Sequence, residues 1–194
     1  MSDLLKLSLS EVITKLKARE VSSVELATEA LSAAKAAQPA LNAFTAFDVD
    51  KTLAMAAASD AKLAAGEGGS LEGAPLAIKD LFAVEGVSTT ASSNILKGFE
   101  PTYESTVTQS LWNEGGVFLA KTSMDEFAMG SSNETANTGP VVNPWKGTTD
   151  GNLTPGGSSG GSASALAADL CFFSTGTDTG VAILHPAPFT VAVG

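Results

Sequence analysis

The chain has 194 residues, 44% of them hydrophobic and 16% charged, which excludes a disordered polymer and leaves room for a sizeable core. Twenty-one acidic residues against 11 basic ones give a net charge of −10, which argues against a broad nucleic-acid-binding face. Met1-Ser-Asp-Leu-Leu-Lys6 lacks the basic segment and apolar core of a signal peptide, and no uncharged apolar run approaches about 18 residues, so a soluble cytoplasmic protein is expected.

Two helices open the chain. Ser8-x-x-Glu11 and Ser22-x-x-Glu25 have the form of capping boxes, in which a serine and a glutamate satisfy each other's free N–H groups at a helix start. Leu9, Val12, Ile13 and Leu16 give the first helix an apolar stripe; Val24, Ala27, Leu31 and Ala34 do so for the second, with Pro39 as its expected stop. Ala43 to Phe47 alternates as a strand does. Asp50 is the expected cap of an alanine-rich helix running to Ala65, and Gly66 to Ser70 forms a loop. Pro75 to Ile78 is a short buried strand that delivers Lys79. A helix over Glu104–Glu114 stops at Gly115-Gly116, and a strand follows over Val117–Ala120. Met124–Met129 reads as a short helix, and Ser131–Asn152 as a long polar loop, a kind that is usually functional in a compact domain. A helix over Ser162–Leu170 and a strand beginning at Cys171 complete an alternation that predicts an α/β layered domain. With no repeat and no linker, residues 1–194 are expected to belong to one domain, 1–66 mostly helical and 67–194 a partial catalytic core.

The chemistry concentrates in Thr154-Pro-Gly-Gly-Ser-Ser-Gly-Gly-Ser162 and, downstream, Thr175-Gly-Thr-Asp-Thr-Gly180. Glycine-rich loops let backbone N–H groups approach a ligand, and their hydroxyls can act as nucleophile or proton carrier. Lys79, in an apolar run, reads two ways: a lysine pushed toward its neutral form and able to act as a base, or a snorkelling lysine paired with Asp80. The first loop is either a flexible surface segment or an anion site at a helix N-terminus. A phosphate loop is excluded, because no G-x-x-x-x-G-K-[ST] occurs. Gly157-Ser-Ser-Gly-Gly161 matches a nucleophile elbow centred on Ser159, with Asp178 and His185 following. Thr154-Pro-Gly156 is a poor strand for an elbow, though, and the gap between the two partners is short. His185 and Cys171 cannot build a metal site at this spacing, and Cys171 reads as a buried free thiol.

Lys79, Gly156-Gly-Ser-Ser-Gly-Gly161 and Gly176-Thr-Asp-Thr-Gly180, with 79 positions from Lys79 to Ser158, together resemble the amidase signature family. Lys121-Thr-Ser-Met-Asp-Glu-Phe-Ala-Met-Gly-Ser-Ser-Asn-Glu134, Gly139-Pro140, Asn143-Pro-Trp145 and Tyr103-Glu-Ser-Thr106 are similar to the branch of that family that supplies the glutamine-hydrolysing subunit of tRNA-dependent amidotransferases. The resemblance covers essentially the whole chain. It implies an amidase-signature fold, a mixed central β-sheet flanked by helices, truncated at its C-terminal side. It also implies a Ser–cis-Ser–Lys triad in which Lys79 is the base and Ser158, joined to Gly157 by a cis peptide, relays a proton to a nucleophilic serine at position 182. Thr179, Gly180, Val181 and Ala182 map to the oxyanion loop, and Met129, Gly130 and Ser131 to substrate binding. The implied partners are glutamine and the amidotransferase subunits B and C. The tRNA, for Gln or Asn, is held mainly by the partner subunit, which uses ATP and magnesium; no cofactor or metal is implied for this chain.

The chain departs from the pattern of the resemblance in one place. Where the family reads Thr-Gly-Gly-Ser-Ile-Arg-Gln-Pro-Ala, this sequence has Thr179-Gly-Val-Ala-Ile-Leu-His-Pro-Ala187. Ala182 replaces the nucleophile, Val181 a glycine and Leu184 an arginine; His185, Pro188, Val191 and Ala192 also differ, while Ile183, Pro186, Ala187, Phe189 and Thr190 stay in register. A methyl group forms no acyl-enzyme, so an inactive chain is expected. The clustering fits a degraded gene end or an error in the terminal sequence. Besides an enzymatic role, two alternatives are expected: a catalytically dead domain that only contacts partners, and a chain whose incomplete sheet leaves an aggregation-prone edge.

Overall fold

A computed structural model describes residues 3–148 and 151–193. After a single 3₁₀ turn (Asp3–Lys6), helices α1 (Leu9–Lys17) and α2 (Ser23–Leu41) begin at the two expected capping boxes. At the first, the Glu11 carboxylate accepts the Ser8 N–H at 2.8 Å while Ser8 Oγ accepts from the Glu11 N–H. Pro39 does not end α2. It sits in the last turn, where a missing N–H forfeits one intrahelical bond; the stop is Asn42, in the left-handed conformation at φ 51°, which caps Gln38 O. Helix α3 (Val49–Ala64) is capped by Asp48, whose side chain accepts from the Lys51 N–H, and the expected cap Asp50 lies inside the first turn. Helix α4 is Thr106–Asn113, capped by Ser105, shorter than the expected Glu104–Glu114. Helix α5 spans Gly160–Ala167, two residues earlier than expected because the second half of the glycine loop is itself helical, and α6 is Pro186–Thr190.

Four strands, β1 (Phe44–Ala46), β2 (Pro75–Lys79), β3 (Val117–Thr122) and β4 (Phe173–Ser174), form one sheet in the order β1-β3-β2-β4. β1 runs antiparallel to β3, and β2 runs parallel to both β3 and β4, which is the mixed sheet expected. Every residue of β2 and β3 is buried, as it must be where helices cover both faces. Successive residues serve opposite faces. Ala77 and Leu119 pack with Leu16, Leu26, Ala165 and Leu170, while Ile78 and Phe118 pack with Val84 and Val87. Met124–Met129 is not a helix: only Glu126–Ala128 makes a 3₁₀ turn, and Phe127 has φ 51°. Cys171 is the buried free thiol expected, and burial pushes its pKa up to about 12. Among the described residues no helix is long and apolar enough to cross a membrane.

The same alternation decides the fate of Lys79 and Asp80. Adjacent side chains at a strand end leave on opposite faces, so they do not pair. Asp80 turns to Lys121 of β3, Nζ to Oδ1 3.0 Å, both side chains fully buried. Its other oxygen accepts from the Thr90 hydroxyl at 2.6 Å and from the N–H groups of Thr90 and Ser92. Lys121 also donates to Phe82 O and Thr89 Oγ1. The snorkelling alternative for Lys79 is therefore set aside.

Candidate functional site

Lys79 ends β2 facing the glycine–serine loop. Its backbone is fixed first: its N–H donates to Thr175 Oγ1 at 2.8 Å, and the Thr175 N–H donates to Ala77 O. Ser162 Oγ, on α5, donates to Thr175 O at 2.7 Å and lies 2.6 Å from Thr122 Oγ1. Two strand ends and a helix are thereby locked around one point. From there Lys79 Nζ reaches three hydroxyls, Ser158 Oγ at 2.8 Å, Ser159 Oγ at 2.7 Å and Thr177 Oγ1 at 2.8 Å.

The loop is shaped by close approach rather than by flexibility. Gly157 and Ser158 are joined by a cis peptide. A Cβ on Gly157 would lie 2.1 Å from Asp125 Oδ2, and one on Gly161 would lie 2.3 Å from Ser123 O and 2.6 Å from Ala43 O. Asp125 is fully buried and organises the wall behind the loop. It accepts from the Asn133 N–H and the Thr135 hydroxyl, and its own N–H donates to Ser158 O. The start of α5 is not an open anion site. The Ser159 N–H donates to Ala182 O, and the Gly161 N–H to Ser123 O and Asn133 Oδ1.

Burial pulls the Lys79 pKa down to about 8, partly offset by the carboxylates of Asp125 and Asp178, which favour the ammonium. The unfolded chain holds the proton up to about pH 10.5, so between about pH 8 and 10.5 the unfolded state binds more protons and stability rises with pH. The burial penalty is complete below that window and lifted above it. Denaturant melts across this range are expected to show a rise of a few kcal/mol that is smaller in Lys79→Met.

The second loop closes over the first. Asp178 Oδ2 accepts from the N–H groups of Ile183 and Leu184, and these bonds hold its carboxyl below the usual range. A cavity of about 220 Å³ lies between the loops, lined by Gly130, Ser158, Thr177 and the run Thr179, Gly180, Val181 and Ala182. The structure thus brings most of the expected residues together. Met129 is 81% exposed and Ser131 contributes its carbonyl to His185 Nδ1, 3.1 Å away, so neither lines this space. The elbow arrangement fails: Asp178 faces backbone N–H groups and the His185 ring lies tilted against Phe189. Sequence reasoning missed Ser159 and Thr177 as partners of Lys79, and Asp125 behind the loop. All three lie inside stretches already singled out, but nothing in their spacing distinguishes them from their neighbours.

A buried lysine, a cis-linked serine and two glycine loops thus meet at one site. A sequence model described as Amidase matches residues 25–194, and the chain belongs to that family. It is 76% identical, over its whole length, to the A subunit of the glutamyl-tRNA(Gln) amidotransferase of Maricaulis maris (strain MCS10), and 56% identical to that of Sinorhizobium fredii (strain NBRC 101917 / NGR234). It spans about 40% of the length of each. The crystal structure of the corresponding A subunit from Thermotoga maritima is similar over 96% of this chain and 37% of its own, with TM-score 0.77 and 32% identity. A component of a vestigial protein complex related to an s-triazine catabolic enzyme matches 93% of this chain and 39% of its own, with TM-score 0.87 and 36% identity.

Proposed function

We propose that this chain carries part of the A subunit of a glutamyl-tRNA(Gln) amidotransferase, a cytoplasmic glutaminase that works with subunits B and C. In that reaction Lys79, as the free amine, takes the Ser158 proton, and Ser158 takes one from a nucleophilic serine at position 182. The serine attacks the side-chain amide of glutamine, the relayed proton passes to the amide nitrogen as the C–N bond breaks, ammonia leaves, and water then cleaves the acyl ester to glutamate. The partner subunit, with ATP and magnesium, uses the ammonia to amidate Glu-tRNA(Gln) or Asp-tRNA(Asn). The observation that carries this reading is the 2.8 Å bond from Lys79 Nζ to Ser158 Oγ, together with the likeness to the amidotransferase relatives. No cofactor of its own enters the reaction.

Ala182 favours a second reading for this particular chain, a catalytically dead domain that retains only partner contacts. Its methyl lines the cavity where the nucleophile belongs, and Val181, 52% exposed, adds bulk to a loop that the family pattern leaves bare. The two readings separate in one experiment. Residues 1–180 of this chain are joined to the matching remainder of the Maricaulis maris relative, and ammonia release from glutamine is measured with subunits B and C present. The chimera is expected to be active, and Lys79→Ala within it to lose about 10²–10⁴-fold. This chain itself is expected to release no ammonia, and Ala182→Ser alone is not expected to restore it. A folded, assembled chimera with no activity overturns the glutaminase reading.

A further inference from the structure

A neutral amine has two N–H groups and one lone pair. Three hydroxyl oxygens lie within 2.8 Å of Lys79 Nζ, so two accept its hydrogens and one can donate to its lone pair. Ser159 has another outlet, because its Oγ also lies against Thr177, 3.5 Å from the carbonyl oxygen and 3.4 Å from the N–H. Thr177 carries a secondary, methyl-crowded alcohol. Ser158 is a primary alcohol whose Oγ has no hydrogen-bond partner but Lys79 among the described residues, and it borders the 220 Å³ cavity. In the relay proposed above, this oxygen is activated only to pass the charge on. With a methyl group at position 182, there is no further hydroxyl to receive it.

We propose that Ser158 and Lys79 form a two-residue acyl-transfer site in which Ser158 Oγ is itself the nucleophile toward small activated esters. Lys79 takes the hydroxyl proton as the Ser158 oxygen bonds to the ester carbonyl carbon. The bond from that carbon to the leaving oxygen breaks, and the Lys79 ammonium returns the proton to the departing alcohol or phenol. Water, deprotonated by Lys79, then attacks the acyl carbon; the bond to Ser158 Oγ breaks, the Lys79 ammonium 2.8 Å away returns the proton to that oxygen, and the acid is freed. Asp125 and Asp178 bias the lysine toward the ammonium that forms at each addition step. Ser158 is fully buried, and the cavity beside it is small, so short acyl groups are admitted and long ones are not. The inference shares the Lys79–Ser158 contact with the proposed glutaminase but needs no residue at position 182, so the two fail separately.

The test uses this 194-residue chain with p-nitrophenyl acetate, followed by p-nitrophenol release and by mass-spectrometric mapping of the acetyl group. The expected result is a burst, an acetyl ester on Ser158, a rate that rises with pH through about 8, and loss of the burst in Ser158→Ala at an unchanged melting transition. A butyryl ester should react at least about tenfold more slowly than the acetyl ester, since each extra methylene must be seated in the cavity. Acetylation of Ser159, Thr177 or Lys79 in place of Ser158, or no acetyl group on any of the four, overturns the proposal. The mapping on the unaltered chain stands whether or not the variant folds.

Discussion

Gly161→Ala is expected to destabilise the fold by about 3 kcal/mol or more, a large share of the roughly 5–15 kcal/mol that holds a typical domain together. Gly161 lies in the first turn of α5, where a methyl group would sit 2.3 Å from Ser123 O, 2.6 Å from Ser123 N and 2.6 Å from Ala43 O. All three are backbone atoms, so no side chain can rotate away. Relief requires α5 to retreat from the ends of β1 and β3. That retreat would break the Gly161 N–H bond to Ser123 O and lift Ser162 away from Thr122 and Thr175. A urea melt measures the loss directly. Gly151→Ala, at a position with open space around it, is the matched control and should stay within about 0.5 kcal/mol.

The second large effect lies on the opposite face of β2. Asp80→Ala is expected to cost about 3–5 kcal/mol, because it leaves the Lys121 ammonium buried without its counter-charge. Burial already lowers the Lys121 pKa, and Asp80 is the main influence opposing that shift. The carboxylate also gathers the Thr90 and Ser92 N–H groups, so its loss frees the loop that carries them. Ser92 in turn accepts from the N–H groups of Met124 and Asn137. The double variant Asp80→Leu with Lys121→Met removes both charges and is expected to be more stable than Asp80→Ala alone. If the single and double variants lose equal stability in denaturant melts, the stranded charge is not the cause.

The Lys-Asp dipeptide shows where sequence reading stopped. Composition and periodicity are local, and they located β2, β3 and the two capping boxes because each depends on residues a few positions apart. Pairing Lys79 with Asp80 was also a local inference, and the strand's two-residue period defeats it. The partner of Asp80 is Lys121, brought in by the parallel register of β2 and β3, in which Ile78 faces Lys121. Pro39 and Asp50 were misplaced for a related reason: a helix boundary follows from the conformation of its cap, here Asn42 and Asp48, and not from the presence of a breaker or an acid nearby. At the site, Lys79 and the two loops were legible through their resemblance to a family. Ser159 and Thr177 were not, because nothing local marks that both adjacent serines and a threonine from the second loop converge on one amine.

The three hydroxyls around Lys79 also set an order of events. They come from positions 79, 80 and 98 residues further along the chain. Closing loops of that size precedes any reward from the contacts they enclose, so such contacts form late. During synthesis the lysine emerges long before its partners. Until Thr177 arrives, nothing complete surrounds the amine, and β2 must wait in the growing chain with a charged end and no pocket. The site and the main core are completed by the same stretch of chain, since Ala165, Leu170, Cys171 and Phe172 enter the core between Ser158 and Thr177.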